Sequence, residues 1–417
     1  MRTKRFFITG LIILLAGYFN LVAQIIYKPP QKKLIFFGWH MPYIQQFIEN
    51  IKMYETPPFD GISLRISKEA GGGNIFMVKN WKEVNDKAKE KELARAEAVK
   101  ASEILTDNFI VLYGASQMDW FSDEDWKLAE GQILYNLKLA RTAGCKGIVW
   151  DPEPYKPGKN PWRYNEQDKT SQYSFEQYYS QVRKRGAQFI SVLQDEFPGI
   201  VIFSLRELSD WQNGSPFSTP LLPVMDREKT IDKMKNAWWG LHIAFYVGMI
   251  EAIKPGTLFI DGNEEAYYYT SPGEFYEVRN TLMIDAKALI PPELWEKHSC
   301  YNRIGHAIAA EYITGNWLGM SPFPYRLTGQ GIMMSPEEKA QWLEHNTYYA
   351  LKTADEYAWL YTEGMNWWTG EKVPEGFQEA LLSAKIKVNS GHTLGYEIEQ
   401  MIKNAQNKAA EFYKDKE

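Results

Sequence analysis

The sequence predicts an α/β protein built as a single (β/α)8 TIM barrel, with long loops after its strands and a C-terminal helical extension. Three observations carry this. After residue 30, short apolar runs rich in β-branched and aromatic residues alternate with longer segments of helical periodicity. Eight such runs follow one another with no long polar linker, as in one parallel sheet closed on itself. An open doubly wound sheet would carry a glycine-rich phosphate loop after its first strand, and "GWHMP" is no such loop.

The elements read in order as follows. "KLIFFGWHMP" (Lys33–Pro42) is the first strand, and "YIQQFIENIKMYE" the helix after it. "FDGISLRIS" (Phe59–Ser67) is the second strand, followed by one long helix from Trp81 to Leu105. "NFIVLYG" (Asn108–Gly114) is the third, and a helix over 123–142 leads to the fourth, "KGIVWD". A helix over 174–196 precedes the fifth strand, "GIVIFSLRE", and "GTLFIDG" is the sixth. "GHAIAAEY" (Gly305–Tyr312) is read as the seventh, although its pattern also suits a helix, and "EYAWLYTE" (Glu356–Glu363) as the eighth. Residues past Pro374 read as helix and tail. The surplus over a minimal barrel lies in loops such as 156–173 and 316–331, on the face where barrel enzymes keep their active sites.

Composition narrows the function. The 417 residues are 45% hydrophobic and 24% charged, as in a globular chain. Aromatics reach 15%, with 15 Trp and 25 Tyr, more amphipathic rings than a core requires, so some are expected to line a binding surface. A net charge of −5 leaves no basic footprint for nucleic acid. Two cysteines, Cys145 and Cys300, are too few for a disulfide scaffold or a Cys-ligated metal. Arg2, Lys4 and Arg5 precede an apolar run from Phe6 to Tyr18, and Leu21-Val22-Ala23 can end a cleavage site. Residues 1–23 are therefore expected to be a signal peptide and 24–417 the exported barrel, periplasmic or extracellular. An uncleaved membrane anchor is the alternative; after cleavage no other segment is apolar enough to span a membrane.

The strand ends carry the chemistry. "GIVWDPEPY" (Gly147–Tyr155) places Asp151 and Glu153 two residues apart at the end of the fourth strand. In an extended segment such residues face the same way, about 6–7 Å apart, and Pro152 and Pro154 hold both extended. Close like charges raise one pKa, which prepares an acid for neutral pH. Glu153 is expected to be the general acid and Asp151 its tuning partner. The alternative is a polar strand end in which Asp151 accepts backbone N–H groups and Glu153 pairs with Arg65 or Arg206.

A second carboxylate is expected from "DGNEEAYYY", through Glu264 or its neighbour Glu265, only one of which can point inward, or from Glu363 in "YTEGMNWW". One acid to protonate a leaving oxygen and one carboxylate to attack or activate water is what sugar hydrolysis requires. Trp39, Tyr155, Tyr267 and Trp367 are candidates for stacking on pyranose rings. His40, Arg65, Tyr113 and Asn366 are candidates for contacts to hydroxyls. Arg65, on the inner face of "GISLRIS", must meet a carboxylate, the protein's own or that of an acidic sugar. For His40 and Trp367, a hydrogen-bonded spacer and a core residue are the plainer readings.

These segments resemble the secreted (β/α)8 glycoside hydrolases and glycoside-hydrolase-like barrels of polysaccharide-degrading bacteria. The strand-4 pair is similar in placement to that of barrel chitinases, but of their D-x-x-D-x-D-x-E run only the last D-x-E remains. The resemblance implies hydrolysis of a poly- or oligosaccharide with no organic cofactor and no metal. Two other classes fit less closely. A non-catalytic carbohydrate-binding barrel would keep the aromatics, and a metal-dependent hydrolase or deacetylase would use Asp151, His40 and Asp261 as ligands.

Overall fold

The computed structural model describes residues 31–81, 84–155, 158–211, 227–315 and 329–414. The predicted signal peptide and most of the loop at 316–331 lie outside the described residues. From Lys32 onward the chain is one compact unit.

Ten strands occur among the described residues: β1 (Lys33–Gly38), β2 (Gly61–Leu64), β3 (Asn74–Phe76), β4 (Phe109–Ser116), β5 (Gly147–Asp151), β6 (Val201–Ser204), β7 (Leu258–Asp261), β8 (Asn302–Ile304), β9 (His306–Ala309) and β10 (Tyr357–Thr362). They pair in the order β8-β7-β6-β5-β4-β2-β1-β10-β9, with every ladder parallel, in a nearly closed barrel. The predicted seventh strand is two short ones flanking Gly305. β8 pairs with β7 and β9 with β10, and the Gly305 N–H reaches the Asp261 carbonyl at 2.7 Å. The strand stops at Ala309, earlier than expected, and Ala310–Thr314 is helical. The unexpected β3 pairs with the end of β4.

Crossover helices follow the barrel rhythm: α1 (Ile44–Glu49), α2 (Asp86–Ala96), α3 (Asp123–Thr142), α4 (Phe175–Glu196), α5 (Gly240–Ala252), α6 (Pro272–Met283) and α7 (Pro336–Thr353). Helices α8 (Phe377–Asn389) and α9 (Glu399–Tyr413) form the C-terminal extension. Their starts are local chemistry. The Ser122 side chain caps α3, while Ser174 and Ser335 form capping boxes with Gln177 and Glu338 at α4 and α7. The single helix expected over 81–105 is shorter, because Asn85 caps α2 at its start and a 3₁₀ turn follows Ala96. α5 is buried on all sides from Gly240 to Ile250, which is why its sequence has no polar stripe.

The barrel interior is filled by aromatic side chains. Phe109, Phe203 and Tyr357 come from three strands that are not neighbours, so their rings, 5.8–6.2 Å apart, meet across the middle. Below them Tyr357 and Lys33 both reach Asp107, which closes the N-terminal end. Above them Phe37 and Trp359, 5.6 Å apart, make a floor. The C-terminal ends of the strands are left to carry function. No helix among the described residues is long and apolar enough to cross a membrane.

Candidate active site

Above that floor lies a cavity of about 270 Å³. Its walls include Asp151, Glu153, Glu264, Glu265 and Glu363, Arg206 as the one cation among the described residues, and the rings of Phe37, Trp39, Tyr155, Tyr267, Tyr268 and Tyr361. Seven of the residues expected from the sequence are therefore brought together: Asp151, Glu153, Glu264, Glu363, Trp39, Tyr155 and Tyr267.

The fourth-strand exit is held by its neighbours. A side chain at Gly114 would put a Cβ 2.7 Å from Pro152, so glycine lets the turn lie on β4. The Trp162 indole N–H donates to the Pro152 carbonyl at 2.5 Å from the other side. Asp151 is buried; its Oδ1 accepts the Glu153 N–H at 3.2 Å and its Oδ2 accepts the Tyr155 hydroxyl at 3.0 Å. Burial, then the charge of Glu153, push the Asp151 carboxyl up to about 8. The raised pKa expected of one acid in the pair thus falls on Asp151, the buried one, while Glu153 reaches further out and pairs with Arg206 at 2.9 Å. Both contacts of the polar strand-end alternative are present, within a carboxylate-lined cavity.

A stability prediction follows. The unfolded Asp151 carboxyl loses its proton near pH 4, whereas the folded one keeps it to about 8. The native state therefore binds the extra proton between those values, and this group's contribution to stability declines as pH rises from about 4 to about 8. Thermal melts should show Asp151→Asn with a flatter decline than wild type between about pH 5 and pH 8. Parallel curves would exclude the assignment.

Arg206 organises the opposing wall. It is buried over the Trp239 ring at 5.6 Å, with His242 nearby, whose pKa burial and the Arg206 charge lower to about 3. Its Nε lies 3.5 Å from Glu264 and its Nη2 3.9 Å from Glu265. Both glutamates line the cavity, contrary to the expectation that only one points inward. Strand geometry does not apply there: Asn263 takes a left-handed φ of 44° and Glu264–Tyr268 is a 3₁₀ turn, so neighbours can flank one guanidinium. Because one planar guanidinium touches both Glu153 and Glu264, their carboxylates lie within roughly 9 Å of each other. Glu363 completes the ring, accepting the Tyr361 hydroxyl at 2.6 Å.

The remaining expected residues lie elsewhere. Trp367 is buried against Phe59 at 6.2 Å and belongs to the core. Asn366 shapes that turn, its Oδ1 accepting the Trp368 and Thr369 N–H groups. His40 does not line the cavity, and its carbonyl accepts the Trp368 indole N–H at 3.0 Å. Tyr113 stands behind Tyr155, with rings 6.2 Å apart, in register with Asp151. Arg65 also lies outside the cavity wall, over the Tyr43 ring at 4.4 Å, and makes no ion pair among the described residues. The expectation that it meets one of the protein's own carboxylates is not met among the described residues; of the two cations offered for Glu153, Arg206 is the one that pairs with it.

Asp261 is buried and accepts the Ser209 N–H and hydroxyl and the Asn263 N–H, which fits a structural role. Neither it nor His40 lines the cavity beside Asp151, so the three proposed metal ligands are not gathered there. Among the described residues no group of three or more His, Cys, Asp or Glu is placed to hold a metal ion. Cys145 is buried and Cys300 exposed, and both are free thiols.

Two contributors escaped sequence reasoning. Tyr361 had a signal, since Tyr357, Trp359, Tyr361 and Glu363 alternate along β10 and share one face. Glu311 had none. Its Oε1 accepts the N–H groups of Glu363, Gly364 and Met365 at 2.8–2.9 Å and so fixes the turn that presents Glu363.

No family model matches the chain, and no curated protein matches it. Among solved structures it is similar to a GH5-4 broad specificity endoglucanase from an uncultured bacterium, at 9% identity over 83% of this chain and 86% of that one, with a TM-score of 0.42. It is also similar to a D-psicose 3-epimerase, solved in the presence of D-fructose, at 11% identity over 91% and 98%, with a TM-score of 0.36. Likeness at these levels matches no residue to a role, so the site rests on its own geometry.

Proposed function

We propose that the chain is an exported glycoside hydrolase that cleaves an O-glycosidic bond in a poly- or oligosaccharide, with Glu153 as acid and Glu264 as the opposing carboxylate. The observation that carries this is the single guanidinium of Arg206 bridging Glu153 and Glu264. It holds the two carboxylates no further apart than about 9.5 Å, the upper limit at which such pairs flank a glycosidic bond. Aromatic rings line the walls around them, with Trp39 the most exposed.

In this mechanism burial, then the charge of Glu153, keep Asp151 protonated into the neutral range, so a proton is held beside Glu153. Glu153 delivers it to the glycosidic oxygen as the bond from that oxygen to the anomeric carbon breaks. Glu264 then either bonds to the anomeric carbon, for later hydrolysis, or takes a proton from the water that attacks it. Arg206 orients both groups, and Tyr361 orients Glu363 at the rim.

Aryl glycosides with leaving groups of graded acidity test this reading. Glu153→Gln should lose at least about 10²-fold in kcat/KM on poor leaving groups and far less on good ones, which need no proton. Equal losses across the series would remove Glu153 from the acid role. Glycan binding by wild type without any turnover would favour the carbohydrate-binding alternative.

A further inference from the structure

Arg65 is the cation that the acidic cavity leaves unused. Gly61 pairs with Ile35 of β1 and Ser63 with Phe109 of β4, whose ring meets others across the barrel interior. Arg65 is next in that alternating series, so it reaches the mouth on the inner side of β2. There its guanidinium lies over the Tyr43 ring, and its backbone is tied to the Pro42 carbonyl and the Ile44 N–H. It is close enough to Tyr113 and Tyr54 for its charge to act on both hydroxyls. Tyr113 touches Tyr155, whose hydroxyl contacts Asp151. Through these contacts Arg65 stands two rings, Tyr113 and Tyr155, beyond the catalytic pair, on the side away from Arg206.

A half-buried arginine normally meets a carboxylate, because leaving its charge without a partner is costly. The five cavity carboxylates among the described residues are distributed otherwise. Three face Arg206, Asp151 is held by Tyr155 and the Glu153 N–H, and Glu363 accepts from Tyr361. Arg65 makes no ion pair among the described residues, and its buried Nε–H meets no acceptor. Of its nitrogens only Nε is buried, and with the guanidinium over Tyr43 the two Nη groups can offer the end-on fork that matches a carboxylate or sulfate.

We propose that Arg65, with Tyr43 and Tyr113, forms an anion subsite beside the catalytic cavity, which receives a carboxylate or sulfate of a sugar unit next to the one being cleaved. The substrate class is then an acidic glycan. This rests on the glycoside-hydrolase reading for the identity of the reaction, but the recognition of the anion stands apart from turnover.

Calorimetric binding of paired oligosaccharides to the Glu153→Gln protein provides the test. Each uronate-containing oligosaccharide is compared with its carboxyl-reduced, neutral counterpart and with a sulfated form of that counterpart. At least one acidic form should bind about tenfold or more tightly than its neutral partner. Preference for the uronate or for the sulfate ester identifies the source of the anion. In Arg65→Ala the ratio should collapse toward one, and in Arg65→Lys, which keeps the charge but not the fork, it should fall part-way. Equal binding of acidic and neutral forms to the Arg65-containing protein overturns the proposal without reference to any Arg65 variant. So does a ratio that survives in a folded Arg65→Ala protein. A preserved ratio alongside a wild type that hydrolyses nothing would leave the subsite standing and remove the hydrolase reading.

Discussion

Glu264→Gln should cost on the order of 10⁴-fold in kcat, the upper range for a carboxylate acting as base, while leaving the fold intact. The amide keeps the size of the side chain and a carbonyl oxygen facing Arg206, 3.5 Å away in the native protein, so binding should change little. What is lost is the negative charge beside the anomeric carbon. Steady-state kinetics on the best glycan substrate checks the magnitude, and product NMR in the first minutes gives the anomer. If the product retains configuration, azide should restore turnover in Glu264→Ala as a glycosyl azide, because the small anion fills the space of the nucleophile. Should Glu264→Gln stay active while Glu363→Gln does not, the opposing role belongs to Glu363.

Arg206→Met should destabilise the folded protein by about 3–5 kcal/mol, the cost of removing one partner from a buried charge cluster. Arg206 is 7% exposed and faces at least three carboxylates. Methionine can fill the space over Trp239 but leaves those carboxylates facing one another. An exposed ion pair would contribute at most about 1 kcal/mol, so denaturant titration separates the two cases. The double variant Arg206→Met with Glu264→Gln should recover part of the loss. A double variant as unstable as the sum of the singles would mean that the charges do not interact.

The parts legible in the sequence are those where one strand decides the outcome. β1, β4, β5, β6 and β10 are apolar runs because parallel barrel strands are buried on both faces. The Asp-Pro-Glu-Pro exit was legible for the same reason, since two prolines fix its backbone locally. What depends on contacts between distant strands was not. Glu153 could be seen to want a cation, but only the fold chooses Arg206 over Arg65. Glu264 and Glu265 were misjudged because a left-handed asparagine replaces strand geometry with a 3₁₀ turn. Trp367 sits one residue past Asn366 in a turn that sends its ring into the core, and nothing in "GMNWW" distinguishes that from a sugar platform.

The pairing of β1 with β10 has a temporal consequence. Lys33 lies in register with Tyr357 and Gly38 with Thr362, so the first stave of the barrel finds one of its neighbours only once synthesis has passed Thr362. At about 5–20 residues per second, a ribosome leaves that edge of β1 waiting for roughly a quarter of a minute to a minute. Meanwhile the nascent chain displays an unpaired parallel edge of Leu, Ile and Phe, a template for association with other chains. Folding of such high contact order is slow even after release. The yield of active protein should therefore depend more on synthesis rate and on chaperones that shield this edge than on the stability of the finished barrel.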